Sequence, residues 1–373
     1  MYKIALITLL IPVVFSVTAQ NTNKKALDSG ADFLTIAPNA RAGAMGGIGA
    51  ATAPDVYSIY WNAAKTVFNK AQTEASFTYS PWMREVTDDM NLSALSVFHR
   101  LDDSQALSVG FRYFSYGKIA FTDSEGVFSG ENKPYEMSID LSYSRKLGEH
   151  LSGAVTLKYI HSQLGFGQMV SAIELKAANS VAADVSFFYN RDFRLFGKDA
   201  VWRAGVAIAN VGSKLKYGDG SAESYLPGDF RLGGAVESYF SDKHSLQLSL
   251  DVNALMIPRY GEEGKPDKSG VGGYFSAFGD LQSDNLFLGV GAEYWYAKTV
   301  AVRAGYHHGD ENGGRPSYMS FGAGLRYFNI LADISYVAGV TDNNPIRNSL
   351  QFSIGLDFDF FKKKGSKWDS ISN

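Results

Sequence analysis

The chain has 373 residues, with 38 glycines, 21 tyrosines, 25 phenylalanines and no cysteine. Its formal charge of −3 excludes the basic face that a nucleic-acid partner needs. No run after the N-terminus has the length of a membrane helix, so two classes remain, a soluble all-β protein and an outer-membrane β-barrel; the absence of cysteine decides between them in neither direction.

Residues 1–19 read as a signal peptide. Lys3 supplies the positive start, residues 4–17 the apolar run, and Val17-Thr18-Ala19 a small-residue cleavage site before Gln20. No cysteine follows that site, so a lipoprotein anchor is excluded and the mature chain is expected to be exported. Residues 20–70 read as an N-terminal plug. Within them, residues 37–68 are dense in Gly and Ala, carry a charge that looks buried, Arg41, and include Met45. They end in the aromatic cluster Tyr57, Tyr60 and Trp61, followed by Asn62. Small residues let backbone pack on backbone in a confined space. The alternative is a Gly-rich leader before an all-β domain.

Residues 71–361 read as β-strands. Segments of about 9 to 13 residues alternate apolar and polar with period two, the length a tilted strand needs to cross a bilayer. In residues 134–146, Tyr135, Met137, Ile139, Leu141 and Tyr143 share one face, and Glu136, Ser138, Asp140, Ser142 and Ser144 the other. The fourteen segments predicted are 72–80, 90–100, 104–116, 134–146, 150–161, 179–190, 200–211, 228–240, 244–254, 284–296, 299–307, 317–327, 329–337 and 348–360. Short and long connections alternate between them, with residues 191–199 read as a longer turn on the short side. Outer-membrane barrels sort their loops in this way, short turns in the periplasm and long loops outside, whereas a sandwich has no reason to. The expected architecture is therefore an all-β, antiparallel transmembrane barrel of about fourteen strands, both termini of the barrel periplasmic.

The lumen face carries Glu136, Asp140, Lys158, Asp184, Arg203, Arg231, Glu237, Asp251, Glu293, Arg303, Arg326 and Asp333. Both signs together suggest a filled, hydrogen-bonded lumen packed on the plug. The last strand ends in Phe358-Asp359-Phe360-Phe361, resembling the terminal signal read by barrel-assembly machinery, and residues 362–373 follow as a tail.

No catalytic, cofactor or metal constellation is expected. His307 and His308 are neighbours in a strand and point to opposite faces. His161 before Ser162 suggests a hydrolase pair, but sequence neighbours do not make a triad. The run Gly43-Ala44-Met45-Gly46-Gly47-Ile48-Gly49 follows no strand and lacks the lysine of a phosphate loop. Residues 309–314 are acidic without the ligand spacing of a calcium loop.

The outer loops hold large apolar side chains: Trp82, Met83, Phe121, Phe128, Phe166, Met169, Tyr225, Leu226, Met256, Ile257, Tyr260, Tyr274 and Phe275. Exposed aromatics and Met suit a protein contact surface, and Tyr225-Leu226-Pro227 reads as a stiff docking tip. The alternative is that they fold back and cap the barrel.

Two stretches carry a family resemblance. Residues 38–47 (PNARAGAMGG) with 60–65 (YWNAAK), and residues 76–84 (SFTYSPWMR) with 88–92 (DDMNL), are similar to the PorV proteins, outer-membrane components of the type IX secretion system of Bacteroidetes. Residues 208–214 and 225–233 match a wider FadL-like pattern. Where that wider family has Asn-Pro-Ala, this chain has Asn62-Ala63-Ala64, without the rigid turn. The resemblance implies a FadL-like, fourteen-stranded barrel with an N-terminal plug, located in the outer membrane. It implies an adaptor that takes secreted cargo by its C-terminal signal domain from a giant translocon barrel of the SprA or Sov type. Cargo then passes to an attachment complex whose sortase is a separate protein. The competing reading is a FadL-like channel for fatty acids or hydrocarbons, which needs a continuous apolar path; Phe114, Phe188, Phe287 and Trp295 point inward, but most inward positions are Ser, Gly or charged.

Overall fold

The structure, a computed structural model, describes residues 29–359 except 85–86, 88, 123–127, 168, 171–172, 259–269, 282–284, 311–314, 341–343 and 345. The expected signal peptide and C-terminal tail, with Phe360, Phe361 and Tyr260, lie outside the described residues.

Fourteen antiparallel strands form one closed barrel in chain order. They are β1 (Thr73–Pro81), β2 (Asn91–Arg100), β3 (Gln105–Ser115), β4 (Tyr135–Lys146), β5 (Leu151–Gln163), β6 (Ala178–Leu195) and β7 (Lys198–Gly212). The second half is β8 (Asp229–Ser241), β9 (His244–Leu255), β10 (Leu286–Tyr296), β11 (Val300–His308), β12 (Tyr318–Tyr327), β13 (Ile330–Gly339) and β14 (Ser349–Asp357). β1 closes on β14 with Phe77 opposite Ile354. All fourteen expected segments are strands, because an alternation of apolar and polar residues is satisfied only when one face of the sheet meets a different medium from the other.

The alternation is inside out relative to a soluble protein. In β4 the buried side chains are Glu136, Ser138, Asp140, Ser142 and Ser144, while Ile139, Leu141 and Tyr143 are exposed. Such a girdle of Leu, Val, Ile and Phe is stable only against hydrocarbon. Closure leaves no strand edge unpaired in that medium.

One expectation about the turns is corrected. Residues 191–199 are not a loop: β6 runs to Leu195, β7 starts at Lys198, and Phe196-Gly197 alone makes the turn. At the long-loop end three small hairpins stand above the barrel, Ile119–Thr122 with Phe128–Asn132, Met169–Val170 with Ile173–Glu174, and Leu215–Lys216 with Glu223–Ser224.

Residues 31–71 run inside the barrel along its length. Phe33 and Leu34 pack among Leu92, Phe114, Ile160 and Leu226 at the long-loop end. Ala63 and Ala64 pack on Ala154 and Phe188, and Val56 and Tyr57 on Phe98, toward the short-turn end. A short helix, α1 (Ala40–Gly43), lies between, followed by 3-10 turns at Ser58–Tyr60 and Ala63–Phe68.

Candidate functional site: the filled lumen and the outer rim

The luminal segment is held chiefly by charge and by backbone contact. Arg41 forks onto Glu293 of β10, Nε to Oε2 at 2.9 Å and Nη2 to Oε1 at 2.6 Å. Its Nη1 reaches Asp55 Oδ2 at 2.7 Å and the carbonyl of Ala53 at 3.0 Å. Glu293 Oε2 also accepts from Arg303 Nε at 2.6 Å, and Arg303 Nη1 donates to Asp333 Oδ1 at 2.7 Å. The chain Asp55, Arg41, Glu293, Arg303, Asp333 thus alternates in sign across the lumen. Desolvation pulls the Arg41 pKa down, but Glu293 and Asp55 outweigh it and raise it well above the usual arginine value. Arg41, Glu293 and Arg303 each have two charged partners, which offsets much of the desolvation cost of burying them, while Arg303 Nη2 and Asp333 Oδ2 are buried without a hydrogen-bond partner.

The other residues singled out in the segment sit in the same frame. Met45 is fully buried and lies against Gly291 and Gly305 of the wall. Trp61 donates Nε1–H to Asn39 Oδ1 at 2.9 Å, and the Arg231 guanidinium lies 5.2 Å from the Trp61 ring. Arg231 donates to the carbonyls of Tyr60 and Trp61 at 2.9 and 3.3 Å. The Tyr60 hydroxyl donates to the carbonyl of Leu95 and lies 3.2 Å from that of Phe111. Asn62 caps the last 3-10 turn, accepting from Ala64 N at 3.1 Å, and donates to the carbonyls of Ala50 and Phe187 at 2.9 Å each. The turn forms with Ala63 in place of proline because this cap supplies the constraint.

Sequence reading missed two buried cations. Arg112 donates Nη2 to Asp140 at 3.1 Å and Nη1 to the carbonyl of Leu34 at 3.1 Å, under the Tyr60 ring. Its alternation with Ser108 and Gly110 in β3 was the available signal. Lys65 is fully buried, donating to the carbonyl of Gly49 at 2.7 Å and to Thr52 Oγ1 at 3.1 Å. Burial lowers its pKa from 10.5 to about 8. The unfolded chain therefore holds this proton between pH 8 and 10.5 when the folded one has released it, and stability rises with pH across that window, by up to about 3 kcal/mol. Burial raises the pKa of Tyr57 and Tyr60, so near pH 10 the unfolded chain ionises them while the folded one does not, and they oppose the Lys65 effect at the top of the window. We expect the apparent unfolding temperature in detergent to climb from pH 8 to about pH 9.5, and Lys65→Met to flatten that climb; an equal climb in the variant would rule Lys65 out as its source.

A lumen cavity beside Arg41, Met45 and Trp61 measures about 10 Å³, the lower limit for one water. A groove of about 560 Å³ on the outer wall is lined by Phe77, Leu325, Phe352 and Ile354.

The outer loops are arranged differently from the expectation. Tyr225, Leu226, Tyr274, Met256 and Ile257 are buried, and Tyr225-Leu226 is no exposed docking tip. Tyr225 and Tyr274 meet edge to face at 5.1 Å, and Leu226 joins the cluster over Phe33 and Leu34. Folding inward removes these side chains from water, which a free loop tip cannot do. Trp82 packs on the same cluster and, with Met83, is half-buried. Phe166 remains exposed, together with Phe128 at 66%, Val271 at 53% and Phe275 at 51%. The last two stand one turn apart on a short helix, α2 (Val271–Ser276), whose Tyr274 faces inward. Neither the Phe121 nor the Met169 side chain is among the described ones.

Ser162 and His161 point apart: Ser162 donates inward to Glu136 at 2.7 Å, and His161 meets Asn179 at 2.8 Å on the outer face, so the pair makes no hydrolase. His307 is stacked between Phe287 and Tyr318, at 5.9 and 4.8 Å. Of the acidic loop, residues 311–314 lie outside the described ones.

Comparison with known proteins places this arrangement. A family model described as type IX secretion system protein PorV matches residues 19–261. Among solved structures, the toluene transporter TodX of P. putida is 10% identical, covering 88% of this chain and 99% of that one at a TM-score of 0.53. The toluene transporter TbuX of Ralstonia pickettii is 12% identical, covering 86% and 96% at 0.50. These similarities establish the barrel type. No curated protein matches the sequence.

Proposed function

Because the chain belongs to the PorV family of type IX secretion system proteins, we propose that it is an outer-membrane adaptor for secreted cargo. It binds the C-terminal signal domain of a protein leaving the giant translocon barrel and passes it to the surface attachment complex, where a separate sortase acts. The observation that carries this reading is a lumen filled by a segment locked to the wall through Arg41, Glu293 and Arg303. In this role residues 31–71 are a plug, and work is done at the outer rim. There Phe128, Phe166, Val271 and Phe275 present exposed apolar surface.

The test is recovery of the tagged chain from detergent-solubilised outer membranes, with co-purifying proteins identified by mass. The expected partners are a very large barrel and secreted proteins retaining a shared C-terminal domain. Phe166→Glu combined with Phe275→Glu should cut cargo recovery at least tenfold, about 1.4 kcal/mol of binding, with the barrel still folded. Recovery of the barrel alone, holding fatty acid or hydrocarbon, would instead establish a channel.

A further inference from the structure

Phe196 sits at the tip of the β6–β7 hairpin and is 85% exposed. Its φ is +50° and that of Gly197 is +79°, the pairing of a type I′ turn. Asn, Asp or Gly takes the first of these positions without strain; a bulky aromatic does not. The barrel therefore holds a strained phenylalanine that contributes nothing to its own packing.

The hairpin also leaves the wall. The ladder between β6 and β5 ends at Tyr189 opposite Leu151, and β7 meets β8 only from Ala200. Beyond these points residues 191–193 still pair with 200–202 of β7, and Arg194 with Asp199 and Leu195 with Lys198 pair outside the wall. The outward rings of Tyr143, Tyr189, Trp202 and Tyr296 form the aromatic belt near the short-turn end, Tyr189 lying 5.2 Å from Trp202. Leu195 is six residues past Tyr189, about 20 Å along the strand and about 14 Å along the axis for a strand tilted ~45°. That exceeds the depth of the headgroup zone, roughly 5–8 Å on each side. Short turns face the periplasm in such barrels, so the tip stands in periplasmic water.

Charge narrows the partner. Arg191 and Lys198 share the outward face with Phe193 and Leu195, since Lys198 is opposite Leu195 and Arg191 opposite Trp202. The other face carries Asp192 and the exposed pair Arg194–Asp199 at 3.6 Å. A strained aromatic tip beside two outward cations fits an apolar pocket rimmed by carboxylates.

We propose that the β6–β7 hairpin is a periplasmic docking arm, seating the Phe196 ring in an apolar pocket of an acidic-rimmed periplasmic protein. The assignment stands independently of what the outer rim binds.

The experiment uses the full chain in its native outer membrane, with a photo-crosslinking benzoylphenylalanine at position 196. Irradiation in intact cells is expected to give one protein adduct, and Arg191→Glu with Lys198→Glu is expected to weaken it at least fivefold. Phe196→Asn is expected to leave the apparent unfolding temperature of the purified barrel unchanged or higher, because it relieves the turn. Adducts to lipid alone, no adduct, or an adduct indifferent to the charge reversal would overturn the proposal. So would a Phe196→Asn barrel that melts more than about 5 °C lower, since the ring would then serve the fold.

Discussion

Arg41→Leu is expected to destabilise the closed barrel by about 3–5 kcal/mol, the cost of leaving buried carboxylates without their cation. Glu293 loses the two bonds of the fork and Asp55 loses its 2.7 Å partner, with Glu293 fully enclosed. Leucine fills much of the side-chain volume, so the loss reports charge and not a cavity. Arg303 still holds Glu293 from the other side, which directs the damage to the luminal segment before the strands. Protease cleavage within residues 37–68 should accelerate at a temperature where the heat-modifiable shift of the barrel on gels is still intact. Arg41→Leu with Glu293→Leu should lose less than the two single variants combined, because the pair is removed together. A single variant costing under about 1 kcal/mol would show that the fork is not what retains the segment.

Gly305→Val is the second large effect, expected at about 2–3 kcal/mol from overpacking. A Cβ on Gly305 would stand 2.2 Å from Gly46 N and 2.2 Å from the Met45 carbonyl carbon. Both are backbone atoms, and Gly46 is held at φ +76°, so neither yields by a rotamer change. Either the segment moves inward off β11 or the ladder breaks. Purified variant in planar bilayers should conduct ions where the parent is closed. Gly234→Val is the control, because a Cβ there meets nothing within 4 Å, and its stability should stay within about 0.5 kcal/mol of the parent. Equal behaviour of the two valine variants would remove close backbone packing as the reason for the wall glycines.

The strands were legible because lipid and lumen impose opposite demands on consecutive residues, and a period of two records those demands position by position. Ile139 and Asp140 could be assigned to opposite faces from the alternation alone, and the structure leaves the first exposed and the second buried. The same rule explains where the reading stopped. Past Tyr189 the neighbours Arg191 and Asp192 are both exposed, the alternation lapses, and they read as a turn although the ladder continues to Leu195 opposite Lys198.

The luminal segment was legible in composition and not in contacts. Gly and Ala in residues 37–68 announced close backbone packing, and Arg41 announced a buried charge. Lys65, four residues after Trp61, carries no local mark of burial, and only enclosure by strands far away in sequence makes it buried. The carboxylates that matter to Arg41 are 14 and 252 residues distant, and no local pattern encodes such a pairing. Tyr225 and Tyr274 failed for a related reason: a loop sequence lists apolar side chains without saying whether the loop turns outward or closes over the mouth. Neighbouring residues were enough to specify the strands, their two faces, the sorting of connections and the family, because each of these is a local pattern. Which charges meet in the lumen, which aromatics cap it and which phenylalanine stands free at the other end came only with closure of the sheet, because closure is what brings distant residues together.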